Sequence, residues 1–287
     1  MSARFALPIL AYHSLHAPGN TYQANDHLAL EEDLRTIVRL GFRFVSARTV
    51  AEALATGDCR SLRGRCVALT FDDGPNTDFF DVRHSELGLI KSFRTILAQS
   101  WGAHSLWRAL AGRRDAIATS FVIASPEARA ILDRTCIAGR GDWEDGWWPE
   151  AVASGLFHVA NHSWDHLHAS LPTVAHSGQE KGDFRKVCSP EDADAQIRAA
   201  HEFIRRKAPN PGCRLFAYPY GHWNRFLADE YFPGQPAGRE HTIAAFTTDG
   251  AFATEATSRW LIPRFVCGDH WKSPGELERL LRDVPAR

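Results

Sequence analysis

Ala68-Leu69-Thr70-Phe71-Asp72-Asp73-Gly74-Pro75 is an apolar run that stops on two adjacent carboxylates and a turn. The run has the length of a buried strand, and Gly-Pro ends it. Carboxylates side by side repel, so a fold that gathers both at a strand end supplies a cation or a proton for them to share. Similar short runs recur at Phe5 to Tyr12, Phe42 to Val45, Cys66 to Phe71, Ser120 to Ile123, Phe157 to Ala160, Leu215 to Tyr218, Ile243 to Thr247 and Leu261 to Val266. Between them, Asp26 reads as the cap of a helix whose Leu30, Leu34, Ile37 and Val38 follow the 3.6 period and which ends before Gly41. Further helices are expected over 48–55, 127–136, 190–206 and 274–282. Strands alternating with helices mark βα units around a parallel sheet, and eight candidate strands suit a barrel. The expected fold is therefore α/β, a distorted TIM-like barrel of seven or eight βα units.

The chain of 287 residues is read as one catalytic domain over 1–287. Connections near 76–118, 167–189 and 222–241 are too long for simple βα links, and are expected to carry substrate contacts or lids. A formal net charge of −1 gives no field to recruit nucleic acid or anionic lipid, and Arg205-Arg206-Lys207 reads as a solvated helix end. No apolar run approaches the roughly 20 residues that span a bilayer. Arg4 precedes the apolar Phe5 to Leu10, but that run contains Pro8 and leads into Tyr12-His13 without a small-residue cleavage site, so a cytoplasmic location is expected. The six cysteines, at 59, 66, 136, 188, 213 and 267, include no Cys-x-x-Cys pair and are expected to be reduced, buried and inert.

The polar residues fall at strand ends. His13 follows the first strand, Asp72 and Asp73 the third, His162 the fifth, Tyr220 the sixth, and Asp269 and His270 the last. All would meet at the C-terminal edge of a parallel barrel, where barrel enzymes build their sites. In Asn161-His162-Ser163-Trp164-Asp165-His166 the imidazoles are spaced i and i+4, which places both on one face of a helical turn. Asp73, His162 and His166 offer one oxygen and two nitrogens, a donor set suited to Zn²⁺ or a similar divalent ion, with Co, Ni or Mn as alternatives. Asp72 is left over to take the proton of a metal-bound water as that water attacks a carbonyl carbon.

Thr70-Phe71-Asp72-Asp73-Gly74, His162-Ser163-Trp164-Asp165-His166 and Phe216-Ala217-Tyr218-Pro219-Tyr220-Gly221, in this order, resemble the first three motifs of the polysaccharide deacetylase family, carbohydrate esterase family 4. The resemblance spans roughly residues 5 to 270. It implies a β/α barrel, metal-dependent removal of acetyl groups from N- or O-acetylated sugars, Asp72 as general base, and Asp73, His162 and His166 as metal ligands. It also implies that the Tyr220 backbone N–H helps hold the oxyanion. The chain departs from the family where many members carry an Arg two residues before Pro219; here that residue is Ala217, and Arg264 in Ile262-Pro263-Arg264-Phe265-Val266 is the candidate to orient Asp72 instead. The family's Leu-x-His general-acid motif is also missing. His13, in a Tyr-His resembling one found early in relatives that deacetylate biofilm poly-N-acetylglucosamine, is preferred over His270 for that role.

Pro219, Tyr220, Trp164 and Trp223 are candidates to line the substrate pocket; Trp143, Trp147 and Trp148 form an aromatic cluster able to stack on sugar faces, although packing against the barrel is the simpler reading for most of them. The alternative activity on the same fold is hydrolysis of a small non-sugar amide, formamide or cyclic ureide. Two His and a carboxylate also suit an Fe(II) oxygenase, but the βα alternation disfavours the double-sheet folds that usually carry one. A non-catalytic carbohydrate-binding relative would be expected to lose Asp72 or a ligand, and none is lost.

Overall fold

Along Cys66 to Asp72 the side chains alternate between two buried environments. Val67, Leu69 and Phe71 face one apolar cluster and Cys66 and Ala68 another, with every residue of the strand buried. A strand covered on both faces needs no polar alternation, which explains its near-continuous apolar composition. The period of two also carries Thr70 and Asp72 to the same face as Ala68, the inside of the curled sheet.

The computed structural model describes residues 5–14, 19–84, 88–101, 116–137, 139–235 and 242–284. Its strands are β1 (Ile9–His13), β2 (Arg43–Phe44), β3 (Cys66–Asp72), β4 (Val82–His84), β5 (Gly88–Ile90), β6 (Ala118–Val122), β7 (Phe157–Asn161), β8 (Leu215–Ala217), β9 (Ala244–Phe246) and β10 (Phe265–Val266). The main sheet runs β10-β1-β3-β6-β7-β8-β9, parallel throughout, with β2 paired to the first residues of β3. A parallel bridge from Phe246 to Ile262 joins β9 to the segment that leads into β10, so the curl closes through one thin seam. This is the expected α/β barrel, with seven strands in its continuous order and β2 as a side piece.

Helices cover the outside. α1 (Asp26–Arg39) packs beneath β1 and β3, α2 (Ala47–Thr56) follows β2, and α3 (Phe93–Trp101) precedes β6. The cap of α1 is Asn25, whose side chain accepts from the N–H groups of His27 and Leu28. Asp26, read from sequence as the cap, is the first helical residue, and its carboxylate turns towards β1 instead. The expected helix over 190–206 is a continuous helical run, Pro190–Ala193 and Ala199–Lys207 joined by a π-turn at Asp194–Arg198. Pro126–Leu132 and Pro274–Arg282 account for two more of the expected helices.

The long connections behave differently from one another. The region 76–118 holds an antiparallel hairpin, β4 with β5, that sequence reading missed; residues 85–87 and 102–115 lie outside the described set. The region 167–189 is irregular but anchored, with Leu171, Val174, Phe184 and Val187 buried in a third apolar cluster. The region 222–241 is helical through Phe226–Tyr231 and Phe232–Gly234, and 236–241 lie outside the described set. All six cysteines are free thiols, but Cys136 and Cys188 are exposed, contrary to the expectation that all are buried. Among the described residues no helix is long and apolar enough to cross a membrane.

Candidate functional site

β3 ends inside the barrel mouth on Asp72, and the chain then turns sharply. Asp73 takes a left-handed backbone (φ 72°) and Gly74 follows with φ 71°. A side chain at Gly74 would collide with Val122, so only glycine lets this turn lie against β6. The Asp73 carbonyl accepts from the Ile123 N–H (3.2 Å) and from the Trp143 indole N–H (3.1 Å), which fixes the turn from two sides.

The segment after β7 is a knot of side-chain caps rather than the helical turn expected from its spacing. Ser163, His166 and Leu167 all have positive φ (72°, 63° and 44°). Asn161 accepts from the Ser163 N–H (2.8 Å), Ser163 Oγ from the His166 N–H (2.8 Å), and Asp165 Oδ1 from the Leu167 N–H (3.0 Å). Asp165 Oδ2 accepts from the Ala175 N–H (2.6 Å), which ties the following long connection to the motif. Six non-glycine residues with positive φ occur among the described residues, and Asp73, Ser163, His166 and Tyr220 are four of them. Backbone strain is thus concentrated at this site.

These turns bring Asp73, His162 and His166 together, with one donor atom from each lying within 4.8 Å of the others. Each imidazole Nε2 is 3.7 Å from Asp73 Oδ1, too long for a hydrogen bond. The Ala217 carbonyl accepts from His162 Nδ1 (2.9 Å), so in the neutral ring Nε2 carries the lone pair that faces Asp73. His166 Nδ1 is buried with no hydrogen-bond partner, and its ring packs edge-on against Tyr220 (4.3 Å). Burial lowers both imidazole pKa values, which keeps them neutral. Neutral nitrogens and a carboxylate converging without bonding to one another fit a divalent cation.

The two carboxylates have opposite fates. Burial pushes Asp73 up, and repulsion from Asp72 adds to it, to about 7. Burial also pushes Asp72 up, but the Arg264 guanidinium, then His162 and His13, outweigh it and hold Asp72 well below the usual carboxylate range. Arg264 is wholly buried, and its Nη1 and Nη2 donate to Asp72 Oδ1 and Oδ2 at 2.6 and 2.7 Å. Nη1 also donates to Thr70 Oγ1 (3.1 Å) and Nε to the Thr247 carbonyl (3.1 Å). Thr70 in turn donates its hydroxyl proton to the Leu10 carbonyl (3.0 Å), so its lone pair is turned towards the arginine. The clamp on Asp72 therefore comes from the far end of the chain.

Asp72, Asp73, His162 and His166 line a cavity of about 610 Å³ together with His13, Asp26, His168, Tyr220, Thr248 and Asp269. His13 Nε2 lies 3.9 Å from Asp72 Oδ2. The Asp26 carboxylate accepts from the His13 backbone N–H (2.6 Å), and burial raises its pKa to about 7. His270 is not among the lining residues: its Nδ1 accepts from the Val266 N–H (2.9 Å), and its ring packs edge-on to Phe265. Tyr220 presents an exposed ring on a left-handed turn (φ 59°), and Pro219 is buried behind it. Trp164 and Trp223 do not line this cavity. Trp164 is packed edge-on against Phe203 (5.8 Å), and Trp223 packs against an apolar cluster on the flank. Of the aromatic cluster, Trp147 and Trp148 are core residues, whereas Trp143 lines the cavity as well as bonding Asp73. Asp26 and His168 carry no motif, and only their side chains' convergence on the cavity reveals them.

The polysaccharide deacetylase family profile matches residues 111–231, a span with the second and third sequence motifs but neither Asp72-Asp73 nor Arg264. No curated protein matches the chain. Among solved structures, the fold is similar to the Streptococcus pyogenes deacetylase PplD, whose structure is in complex with acetate, at 19% identity and a TM-score of 0.60 over 96% of this chain and 98% of that one. IcaB from Ammonifex degensii is similar at 20% identity and a TM-score of 0.59, over 97% of this chain and 96% of that one. A de-N-acetylase from Aggregatibacter actinomycetemcomitans follows at 17% identity and a TM-score of 0.60, over 95% and 99%.

Proposed function

We propose that this chain, which belongs to the polysaccharide deacetylase family, is a metal-dependent hydrolase that removes acetyl groups from N-acetylated or O-acetylated sugars. The observation that carries the reading is the bidentate Arg264–Asp72 pair standing beside the convergent Asp73, His162 and His166. The last three would hold the ion, zinc by donor type, with Co, Ni or Mn as substitutes. When bound, a divalent ion there would supply Lewis acidity, for the acetyl carbonyl and for the attacking water that so weak a base as Asp72 has to deprotonate.

The chain's own groups do the rest. Asp72, ionised and held in one orientation by Arg264, takes the water proton as the new carbon–oxygen bond forms. His13 stands on the same pocket and protonates the leaving amine as the carbon–nitrogen bond breaks. At 3.9 Å from Asp72, it can regain that proton through one bridging water once acetate has left. The Tyr220 N–H supplies a donor for the charge that develops on the carbonyl oxygen. The exposed Tyr220 ring offers a face for a pyranose.

The test is acetate release from N-acetylglucosamine oligomers and from an O-acetylated sugar, using protein loaded with Zn²⁺ or Co²⁺. Release is expected with metal and is abolished by chelation. Metal-loaded protein that leaves acetylated sugars intact yet hydrolyses a small formamide or cyclic ureide would overturn the sugar assignment.

A further inference from the structure

α1 buries three ionisable side chains, Asp26, His27 and Asp33, where it meets the end of β1. Its Leu30, Leu34 and Ile37 already supply the apolar contacts that hold such a helix in place. Burying an ionisable group costs free energy unless hydrogen bonds offset the lost hydration. The partners of these three groups are consecutive in sequence. Tyr12 Oη donates to Asp33 Oδ2 (3.0 Å), the His13 backbone N–H donates to Asp26 Oδ2 (2.6 Å), and Ser14 Oγ lies 2.8 Å from His27 Nε2. One helix thus holds His13 and the residues on either side of it.

Each of these bonds has a fixed direction. β10 ends at Val266, paired with Ala11, and past it the His13 N–H donates to Asp26 instead of to a strand. Ser14 Oγ donates to Thr77 Oγ1 (2.6 Å), which leaves its lone pair for His27, so Nε2 carries the proton of the neutral ring. Burial lowers the His27 pKa to about 4, which keeps it neutral, and the ring stacks on Phe93 (4.3 Å). Asp33 is fixed in turn, since it also accepts from Tyr22 Oη (2.5 Å) and Trp271 Nε1 (3.0 Å). Thr77 stands four residues beyond Asp73, so the Ser14 bond ties the end of β1 to the loop that leaves the carboxylate pair. His13 and Asp72 are themselves partners in the β1–β3 register. Together these bonds set how far the His13 imidazole can stray from Asp72.

We infer that Asp26, His27 and Asp33 are positioning residues for His13, bracing the end of β1 so that the imidazole meets the leaving amine. The inference rests on the reading of His13 as the proton donor and deepens it. A side chain that is partly open to solvent at the last residue of a strand needs such a brace, because a displacement of about 1 Å at a reacting group costs up to roughly a hundredfold in rate.

The experiment compares two substrates on the full, zinc-loaded chain. The amine of an N-acetylglucosamine oligomer has to be protonated to leave, whereas the p-nitrophenolate of p-nitrophenyl acetate departs without a proton. His27→Phe keeps a ring to stack on Phe93 and removes the N–H. It should lower kcat on the oligomer about tenfold, with KM, zinc content and chelator-sensitive hydrolysis of p-nitrophenyl acetate each within about twofold. Ser14→Ala, at the other end of the same bond, should do likewise, and the two together should cost no more than either alone. In a His13→Ala background neither change should lower the oligomer rate further. A loss shared by both substrates, an unchanged kcat on the oligomer in either variant, or a further loss in the His13→Ala background would overturn the brace. Wild-type protein that cleaves p-nitrophenyl acetate but releases no acetate from the oligomer, or an unimpaired His13→Ala, would overturn the donor reading and the brace with it.

Discussion

The two walls of the catalytic pocket are made in different ways. The wall at the ends of β3 and β7 delivers Asp72, Asp73, His162 and His166 on short, strained turns, all buried and locked by backbone and indole hydrogen bonds. The adjoining wall draws His13, Asp26 and Asp269 from the end of β1, the start of α1 and the turn after β10, and the His13 side chain is 23% exposed. The difference fits the proposed chemistry. Groups that share one cation must converge at fixed distances, whereas a group that exchanges protons with leaving group and solvent has to stay reachable. Arg264 belongs to both walls: it rises from the β10 side and clamps Asp72 on the other.

The sharpest way to break this contrast is to remove the open wall's imidazole. His13→Ala should lower kcat by roughly a hundredfold with zinc content unchanged, while His270→Ala stays within about twofold. Steady-state kinetics with elemental analysis checks both, and a large loss confined to His270→Ala would reverse the assignment. The closed wall is tested through pH. With Asp73 raised to about 7 by burial and by Asp72, a proton competes for that carboxylate below neutrality, whereas the buried His162 and His166 are already neutral. Apparent zinc affinity should therefore weaken by up to about tenfold for each pH unit below 7 and level off above it. Competition titrations against a chelator between pH 5.5 and 8 measure this, and an affinity flat from 5.5 to 7 would contradict it.

The smallest expected effect concerns the link between the walls. Thr70→Val keeps the shape but removes the acceptor that orients Arg264, and should reduce kcat about tenfold with KM unchanged, while Thr70→Ser retains activity. In an Arg264→Ala background the same Thr70→Val change should cost nothing further. Equal losses in both backgrounds would show that Thr70 acts on packing alone.

Legibility in the sequence divided along the same line. β3 and its carboxylates were readable because the apolar run, the acids and the glycine are contiguous, and each strand end could be placed at one rim of the barrel. Even there the backbone was misjudged: the His162 and His166 spacing suggested a helical turn, but Asn161 and Ser163 compete for the backbone N–H groups and build a left-handed loop. Arg264 was found by a gap, since a missing arginine at Ala217 demanded a substitute. Asp26 was mistaken for a cap because Asn25 and Asp26 are both capping types, and only the fold shows which of them faces the helix. Trp164 and Trp223 looked like pocket residues because they adjoin motifs, but neighbouring side chains on an extended or looped backbone point in different directions. The hairpin of β4 and β5 was invisible, since its strands are three residues each.

The central claim is that the adjacent carboxylates divide their work, Asp73 binding the ion and Asp72 moving the proton. The most direct measurement is zinc stoichiometry together with acetate release in Asp72→Asn and Asp73→Asn. Asp72→Asn should keep one zinc per chain and lose roughly 10²- to 10⁴-fold in rate, while Asp73→Asn should lose the zinc itself. Full activity in Asp72→Asn, or full zinc occupancy in Asp73→Asn, would contradict it.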